Sequence, residues 1–182
     1  NKQGIYRFMP RLRTIAAVVV PLLLATAYVY WAGQYGDDDL FRQYYSPYTV
    51  ETMRSGEEDI DKLARASNKY YGGKYREALQ LLTSYQSTDS LYNKALLIEA
   101  SVLEGMGRTD EAMERLRELR ERTDDILSDQ ADWQLLLLYL KQSDRKQYER
   151  MLDQIINRKE HLYRARAMKL KKDTDIPLRN FW

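Results

Sequence analysis

The side chains that most often carry chemistry in proteins are scarce in this sequence. It contains one histidine, His161, and no cysteine. A structural zinc site needs several such ligands, and Ser-His-Asp catalysis would have to use this one histidine with no serine in a strand-turn-helix elbow. We interpret His161, beside Glu160 at a predicted helix start, as a surface residue. The chain is predicted not to be an enzyme, with no catalytic residue, cofactor or metal.

The remaining motifs that could do chemistry have structural interpretations. Gly72-Gly73 and Gly105-Met106-Gly107 follow no strand and precede no Gly-Lys-Ser/Thr, so they indicate hairpin turns and not phosphate loops. Glu57-Glu58 and Asp124-Asp125 fall at predicted helix ends, where acidic residues are favourable near the N-terminus. None of these motifs requires a reaction to explain it.

The charge balance excludes one class of partner. The 182 residues carry 29 Lys+Arg against 27 Asp+Glu, a net charge of +2, whereas nucleic-acid binding calls for a concentrated basic face. With 44% apolar residues the composition is globular. Neither a nucleic acid nor a small-molecule substrate is expected.

Residues 14–36, TIAAVVVPLLLATAYVYWAGQYG, carry no charge. As a helix they would extend roughly 34 Å, enough for a ~30 Å hydrocarbon layer, which predicts a transmembrane helix and a contact with the lipid bilayer. Basic residues at 1–13 and Asp37 to Asp39 after the span place the N-terminal tail in the cytoplasm and the rest outside. A cleaved signal peptide, with Ala25-Thr26-Ala27 as its cleavage site, is the alternative.

Residues 37–56 are rich in acidic and aromatic side chains and contain Pro47. This composition predicts an extended juxtamembrane connector. A calcium site is the alternative, but Asp37 to Asp39 are adjacent and lack the alternating spacing and glycine turn of a calcium loop. A solvated linker is therefore the interpretation of this stretch.

From Ser55 onward the pattern is helical. Ser55 and Glu58 form a capping-box start, and apolar residues then recur at three- and four-residue intervals. Seven helices are predicted, near 57–71, 74–86, 90–105, 108–122, 129–141, 144–157 and 160–172. Short turns and no strand signal predict an all-α antiparallel stack.

Two of these segments repeat. GGKYREALQLL at 72–82 and GMGRTDEAMERL at 105–116 share a glycine, a Glu-Ala pair and a leucine at an interval of 34 residues. This interval is the period of the tetratricopeptide repeat. The pairs are Gly73 and Gly107, Glu77 and Glu111, Ala78 and Ala112, Leu82 and Leu116, Leu63 and Leu97, and Ala66 and Ala100. A degenerate third copy is offset by 36, with Trp133, Leu136, Ser143, Tyr148 and Leu152 in place of Leu97, Ala100, Gly107, Ala112 and Leu116.

The chain resembles small single-pass membrane proteins with a tetratricopeptide ectodomain, a family of Bacteroidota and other Gram-negative bacteria. The uncharged span, LFRQYYSPY, the repeats and ADWQLLLLYLKQSD carry the resemblance. It implies one N-terminal transmembrane helix, then a right-handed α-solenoid of about three TPR-like hairpins with a capping helix over 57–172, and a tail at 173–182. It also implies an inner-membrane location with the repeats in the periplasm.

The function implied is a non-enzymatic scaffold, an accessory subunit that binds other membrane or periplasmic proteins in a multi-subunit complex. The alternative is a transmembrane signalling subunit similar to anti-sigma proteins, which would require a cytoplasmic domain ahead of Asn1. Such repeats serve many unrelated assemblies, so the resemblance predicts fold better than function.

The family binds partner peptides along the first helix of each hairpin. Carried onto this chain, its four contact positions per repeat are Ile60, Leu63, Ser67 and Tyr70, then Lys94, Leu97, Ser101 and Glu104, then Gln130, Trp133, Leu137 and Leu140. The predicted partner-binding residues are Tyr70, Tyr71, Lys94, Ser101, Trp133 and Leu137. The alternative is that Leu63, Leu97, Trp133 and Leu140 only pack between hairpins. The aromatic tail residues Phe181 and Trp182 are expected to fold back or to contact a neighbour.

Overall fold

The computed structural model describes residues 9–33, 36–48, 58–123 and 125–175. Every regular element within these ranges is an α-helix, and no strand occurs among them. The prediction of an all-α protein is confirmed for this part of the chain.

The helices of the described ranges follow the predicted spacing closely. They are α1 (Met9–Gly33), α2 (Asp37–Tyr44), α3 (Glu58–Tyr71), α4 (Tyr75–Leu82), α5 (Tyr92–Gly105), α6 (Thr109–Arg122), α7 (Ile126–Lys141), α8 (Arg145–Asn157) and α9 (Arg164–Thr174). The predicted helices correspond to α3 through α9. The largest differences are α4, which ends four residues early, and α9, which begins four residues late.

Helix α1 contains Pro21 and exposes its described side chains from residue 17 to residue 27. Among the residues that the structure describes, no helix combines the length and the apolar character that crossing a membrane requires. The transmembrane helix predicted at 14–36 is therefore not borne out by the described residues.

The three hairpin turns share one backbone design. Gly73, Gly107 and Ser143 have φ values of 70°, 74° and 55°, in the left-handed region that ends many helices. In each turn the next residue's N–H bonds to the carbonyl five residues back: Lys74 to Lys69 at 2.8 Å, Arg108 to Leu103 at 2.9 Å and Asp144 to Tyr139 at 3.0 Å. The interpretation of both glycine motifs as hairpin turns is confirmed, and Ser143 occupies the equivalent position in the third copy.

This equivalence predicts a stabilising substitution. Ser143 carries a Cβ at a left-handed position that glycine adopts without steric cost, so Ser143→Gly is expected to raise the free energy of unfolding by about 0.5–1 kcal/mol. Urea unfolding followed by circular dichroism measures the change. Gly107→Ser, the reverse change in the preceding hairpin, should lower stability by a similar amount. Ser143→Gly also removes the hydrogen bond from the Ser143 hydroxyl to Asp37, and Asp37→Ala measures what that bond contributes. If Ser143→Gly still lowers stability in the Asp37→Ala background, the interpretation is wrong.

The hairpins pack through the positions that repeat. Ala78 and Ala112 are fully buried, because alanine lets two helices approach closely. Leu82 and Leu116 are at most 1% exposed. Consecutive helices pack on one another from α3 through α9, and α3, α5 and α7 also contact one another in series. In the third copy Tyr148 takes the alanine position and is 6% exposed, with its hydroxyl bonded to Thr174 of α9. The larger side chain is thus accommodated against the last helix.

The extended conformation predicted for the connector is wrong over residues 37–44, which form α2. Asp37, Asp38 and Asp39 occupy its first turn, where negative charge is favourable against the helix dipole. Leu40, Phe41 and Tyr44 then lie on one side of the helix and are buried. A linker was predicted because acidic residues dominate the composition of this stretch. The helix packs on the protein through the three apolar residues, whose spacing places them on one side.

Candidate partner-binding groove

The site predicted for a partner peptide already holds a segment of this chain. We call residues 37–48 the groove segment, and the side of α3, α5 and α7 that carries the predicted contact positions the first-helix face. Helix α2 of the groove segment packs against α7, and Tyr48 contacts the cores on both sides of α5. The groove segment therefore lies along the first-helix face.

Three apolar side chains anchor α2. Leu40, Phe41 and Tyr44 are 0%, 8% and 4% exposed. The Tyr44 ring meets the Trp133 ring edge-on, with centroids 6.1 Å apart, a favourable geometry for aromatic pairs. Burying side chains of this size stabilises the contact by about 1.5–3 kcal/mol each before ordering costs.

Charged side chains from α7 and α9 surround these anchors. The Lys141 ammonium lies 4.9 Å from the centre of the Phe41 ring, and the Arg166 guanidinium donates to the Tyr44 carbonyl at 3.1 Å. The Tyr44 hydroxyl donates to Asp173. Burial, followed by this bond to Asp173, raises the pKa of Tyr44 above its ordinary value. The end of α2, whose last carbonyls lack helical partners, is thus held by α9.

Beyond α2 the groove segment continues toward α5 and α3. Tyr45 stacks on Phe41 with ring centroids 4.7 Å apart, and its hydroxyl lies near Ser101 of α5 and Tyr70 of α3. Burial raises the pKa of Tyr45, and a hydrogen bond with Ser101 opposes that rise in part. Twelve residues of chain consequently reach all three first helices.

The predicted partner-binding residues divide between covered and open positions. Ser101, Trp133 and Leu137 are buried, at 1%, 1% and 0% exposure. Tyr70 and Lys94 are half-buried, and Tyr71 is 61% exposed. Burial raises the pKa of Tyr70 to about 12, so its phenol stays neutral. Phe181 and Trp182 lie outside the described residues, and the roles of all eight stay predictions.

Trp133 is the centre of the covered part. Its ring stacks on Tyr163 with centroids 5.1 Å apart and an interplanar angle of 7°, and the Arg166 guanidinium lies 5.1 Å from its centre. The Tyr163 hydroxyl donates to Gln130, another of the predicted contact positions. Trp133 therefore joins the groove segment to the loop between α8 and α9.

Asp129 and Asp132 of α7 form a polar cluster with His161. This cluster corrects the interpretation of His161 as a surface residue. His161 is not on the surface but 3% exposed, in the loop between α8 and α9. Its Nε2 lies 3.5 Å from Asp129 Oδ1 and 3.4 Å from Asp132 Oδ2. Arg158 forms ion pairs with both aspartates, and Arg120 pairs with Asp132. The lone histidine was predicted to be exposed because its partners are about thirty residues away in sequence.

Asp129, Asp132 and His161 are the one group in the described part of the chain whose ligand atoms are close enough to hold a metal ion. The hydrogen bonding favours another role. His161 Nδ1 accepts the Tyr163 backbone N–H at 3.0 Å, so in the neutral ring the proton resides on Nε2, the nitrogen that lies near the two carboxylates. Nε2 then has no lone pair for a metal, and two arginines already neutralise the aspartates. The cluster fits a buried polar contact that holds the α8–α9 loop on α7.

Sequence reasoning missed this cluster, although one signal was present. Asp129 and Asp132 stand three residues apart on a helix that is rich in leucine, and acidic side chains on a buried helix face require partners. The identity of those partners, Arg158 and His161, depends on how α8 and its following loop return to α7.

Together these contacts describe a first-helix face that the groove segment covers with aromatic anchors, next to the buried cluster of Asp129, Asp132 and His161. Comparison with protein-family models, with curated proteins and with solved structures finds no match to this chain.

Proposed function

We propose that this protein is a non-enzymatic protein-interaction scaffold whose first-helix face binds a short amphipathic helix. In this proposal α3 through α8 are three TPR-like hairpins in a right-handed solenoid, and α9 caps them. The repeated left-handed turns and the burial of the repeat positions support it. The single observation that carries the functional part is the helical peptide already seated there, the groove segment.

The residues of the first-helix face that contact α2 indicate which kind of partner helix would bind there. The anchors are two adjacent apolar residues and a tyrosine in the pattern Leu40-Phe41-x-x-Tyr44. The charged side chains that reach them are the cations Lys141, which also pairs with Glu104, and Arg166, together with the carboxylate of Asp173. The acidic first turn of α2, ahead of these anchors, is complementary in charge to Lys141 and Arg166. A partner helix with acidic residues followed by that apolar pattern would make the same contacts.

A partner using this face has to compete with the groove segment. A tethered segment acts at an effective concentration on the order of 1 mM, so it weakens the apparent affinity of any competitor. The groove segment is therefore a built-in competitor in this proposal. The groove segment leaves Tyr70, Tyr71 and Lys94 partly exposed. A partner could bind these three residues first and then displace the groove segment.

Peptide binding in trans tests this arrangement. A labelled peptide of residues 36–48 is expected to bind at least about tenfold more tightly to the full-length Leu40→Ala/Phe41→Ala variant than to the unchanged chain. Fluorescence anisotropy in a mild uncharged detergent measures both affinities. The matched control is the same peptide with alanine at its own two anchor positions, which should not bind.

Equal and measurable binding of the peptide to both proteins would contradict competition by the groove segment. Failure of the peptide to bind a folded double variant would contradict the use of the first-helix face. Adding Tyr70→Ala to the double variant should weaken its binding of the peptide, since Tyr70 lies beside Tyr45.

The location is likewise a proposal: inner membrane, N-terminus in the cytoplasm and repeat domain in the periplasm, as an accessory subunit of an envelope complex. Its support is the uncharged sequence at 14–36 with basic residues before it and acidic residues after it. Fractionating the expressing cells, the first step of purification for the binding experiment, tests it. Recovery in the soluble fraction would contradict the location without affecting the peptide result.

A further inference from the structure

The helices α6, α7 and α8 border an open surface cleft that three arginines line. It has a volume of about 290 Å³ and is lined by Arg117, Arg120, Tyr139, Gln147, Arg150, Met151 and Gln154. We call it the arginine cleft. It is formed by the second helices of two successive hairpins over α7, so it is separate from the first-helix face that the proposed function uses.

The spacing of the residues explains why they converge. Gln147, Arg150, Met151 and Gln154 recur at helical intervals and share one side of α8, and Arg117 and Arg120 share one side of α6. Met151 and Tyr139 are nearly buried, at 6% and 8% exposure. The cleft therefore has an apolar floor and a cationic rim.

Within the described ranges, two of the three guanidinium groups form no ion pair with an acidic side chain. Arg120 pairs with Asp132, but neither Arg117 nor Arg150 forms an ion pair with any residue in the described ranges. Arg117 donates only to the Tyr139 hydroxyl, at 3.4 Å. The nearby acids of α8 are engaged elsewhere, Glu149 with Arg145 and Asp153 with Lys171. Two exposed cations thus border one cleft without a direct ion pair to an acidic side chain of the described residues.

Hydrogen-bond donors complete the lining. The side-chain amides of Gln147 and Gln154 can donate into the cleft, and the guanidinium groups offer planar pairs of N–H donors. A carboxylate is matched by one arginine, whereas a phosphoryl group at neutral pH carries up to two negative charges and three acceptor oxygens. Two free arginines and two amides match the second ligand better.

We propose that the arginine cleft is a binding site for a phosphoryl group, as free phosphate or as a phosphate monoester. Arg117 and Arg150 hold the anion from opposite helices, and the two glutamine amides bind its remaining oxygens. Its volume of about 290 Å³ leaves room for the group that the ester carries. Binding bridges α6 to α8 and ties the second hairpin to the third.

Titration of the isotope-labelled full-length protein with inorganic phosphate, in uncharged detergent at constant ionic strength, tests the site. The NMR signals of the Gln147 and Gln154 side-chain amides are the readout. We expect saturable shifts with a dissociation constant on the order of 1 mM, as a few charge-assisted contacts give. Arg117→Gln and Arg150→Gln should each weaken binding about tenfold.

Lys146→Gln is the matched control, since it removes the same charge from α8 outside the cleft lining. It should leave the affinity unchanged. Shifts that do not saturate, acetate binding as tight as phosphate, or equal affinity in all three variants would overturn the proposal. Phenyl phosphate distinguishes the two sources: tighter binding than inorganic phosphate assigns the cleft to an ester, and failure to bind assigns it to the free ion.

Discussion

Trp133→Ala is expected to lower the free energy of unfolding by about 3–5 kcal/mol, a large part of the stability of a domain this size. Trp133 is 1% exposed and lies between Tyr44 of the groove segment and Tyr163 of the α8–α9 loop. Its removal leaves a cavity that both rings border. Its indole nitrogen has no hydrogen-bond partner in the described structure, so the loss comes from packing.

Urea unfolding of the full chain, followed by far-ultraviolet circular dichroism, measures this loss. Ile126→Ala is the control, because Ile126 is on the same helix and 68% exposed, and it should change stability by less than about 0.5 kcal/mol. Trp133→Phe should fall between the two. A loss below about 1 kcal/mol for Trp133→Ala would show that the stacking partners do not depend on this ring.

The substitution should also release the groove segment. Because Tyr44 packs on Trp133, proteolysis and amide exchange are expected to increase first within 37–48, before the hairpins open. Increased exchange in the α3–α4 hairpin with no change in the groove segment would contradict the assignment of Trp133 as its anchor.

Asp129→Ala is the second large effect, an expected loss of about 2–3 kcal/mol. Asp129 accepts hydrogen bonds from Arg158 and from the Leu162 backbone N–H, the latter at 2.8 Å, and faces His161. Removing a buried acceptor leaves donors that have already lost their water. Arg158 is partly exposed and can be rehydrated, which keeps the cost below the roughly 3–5 kcal/mol of breaking a fully buried pair.

Asp153→Ala is the control for Asp129→Ala. The Asp153 carboxylate is 65% exposed and lies 3.8 Å from Lys171, an arrangement that contributes little to stability. Asp129→Asn, which keeps an acceptor oxygen, should recover part of the loss in the same urea experiment. If Asp129→Ala and Asp153→Ala cost the same, the polar cluster does not hold the α8–α9 loop.

Adding zinc separates the two interpretations of this cluster. With the proton of His161 on Nε2 and the aspartates paired to arginines, zinc is expected to leave the stability of the unchanged chain the same. A zinc-dependent rise in stability that disappears in Asp129→Ala would show that the three side chains are ligands.

The local part of the fold was accessible from the sequence. Apolar residues at three- and four-residue intervals marked α3 through α9, and glycine marked two of the three left-handed turns, since few other residues adopt that conformation without strain. The 34-residue period identifies which positions of the first two copies are equivalent, and the offset of 36 aligns Ser143 with Gly107. These features depend on a residue and its near neighbours.

The tertiary structure alone decided what fills the predicted groove. The groove segment had the composition of a linker, yet Tyr44 binds Asp173 across 129 positions of sequence and Asp37 is bound by Ser143 across 106. The burial of His161 and the convergence of Arg117 with Arg150 have the same origin. Each depends on which helix faces meet after folding, and contacts between distant residues leave no periodic signal in a single sequence.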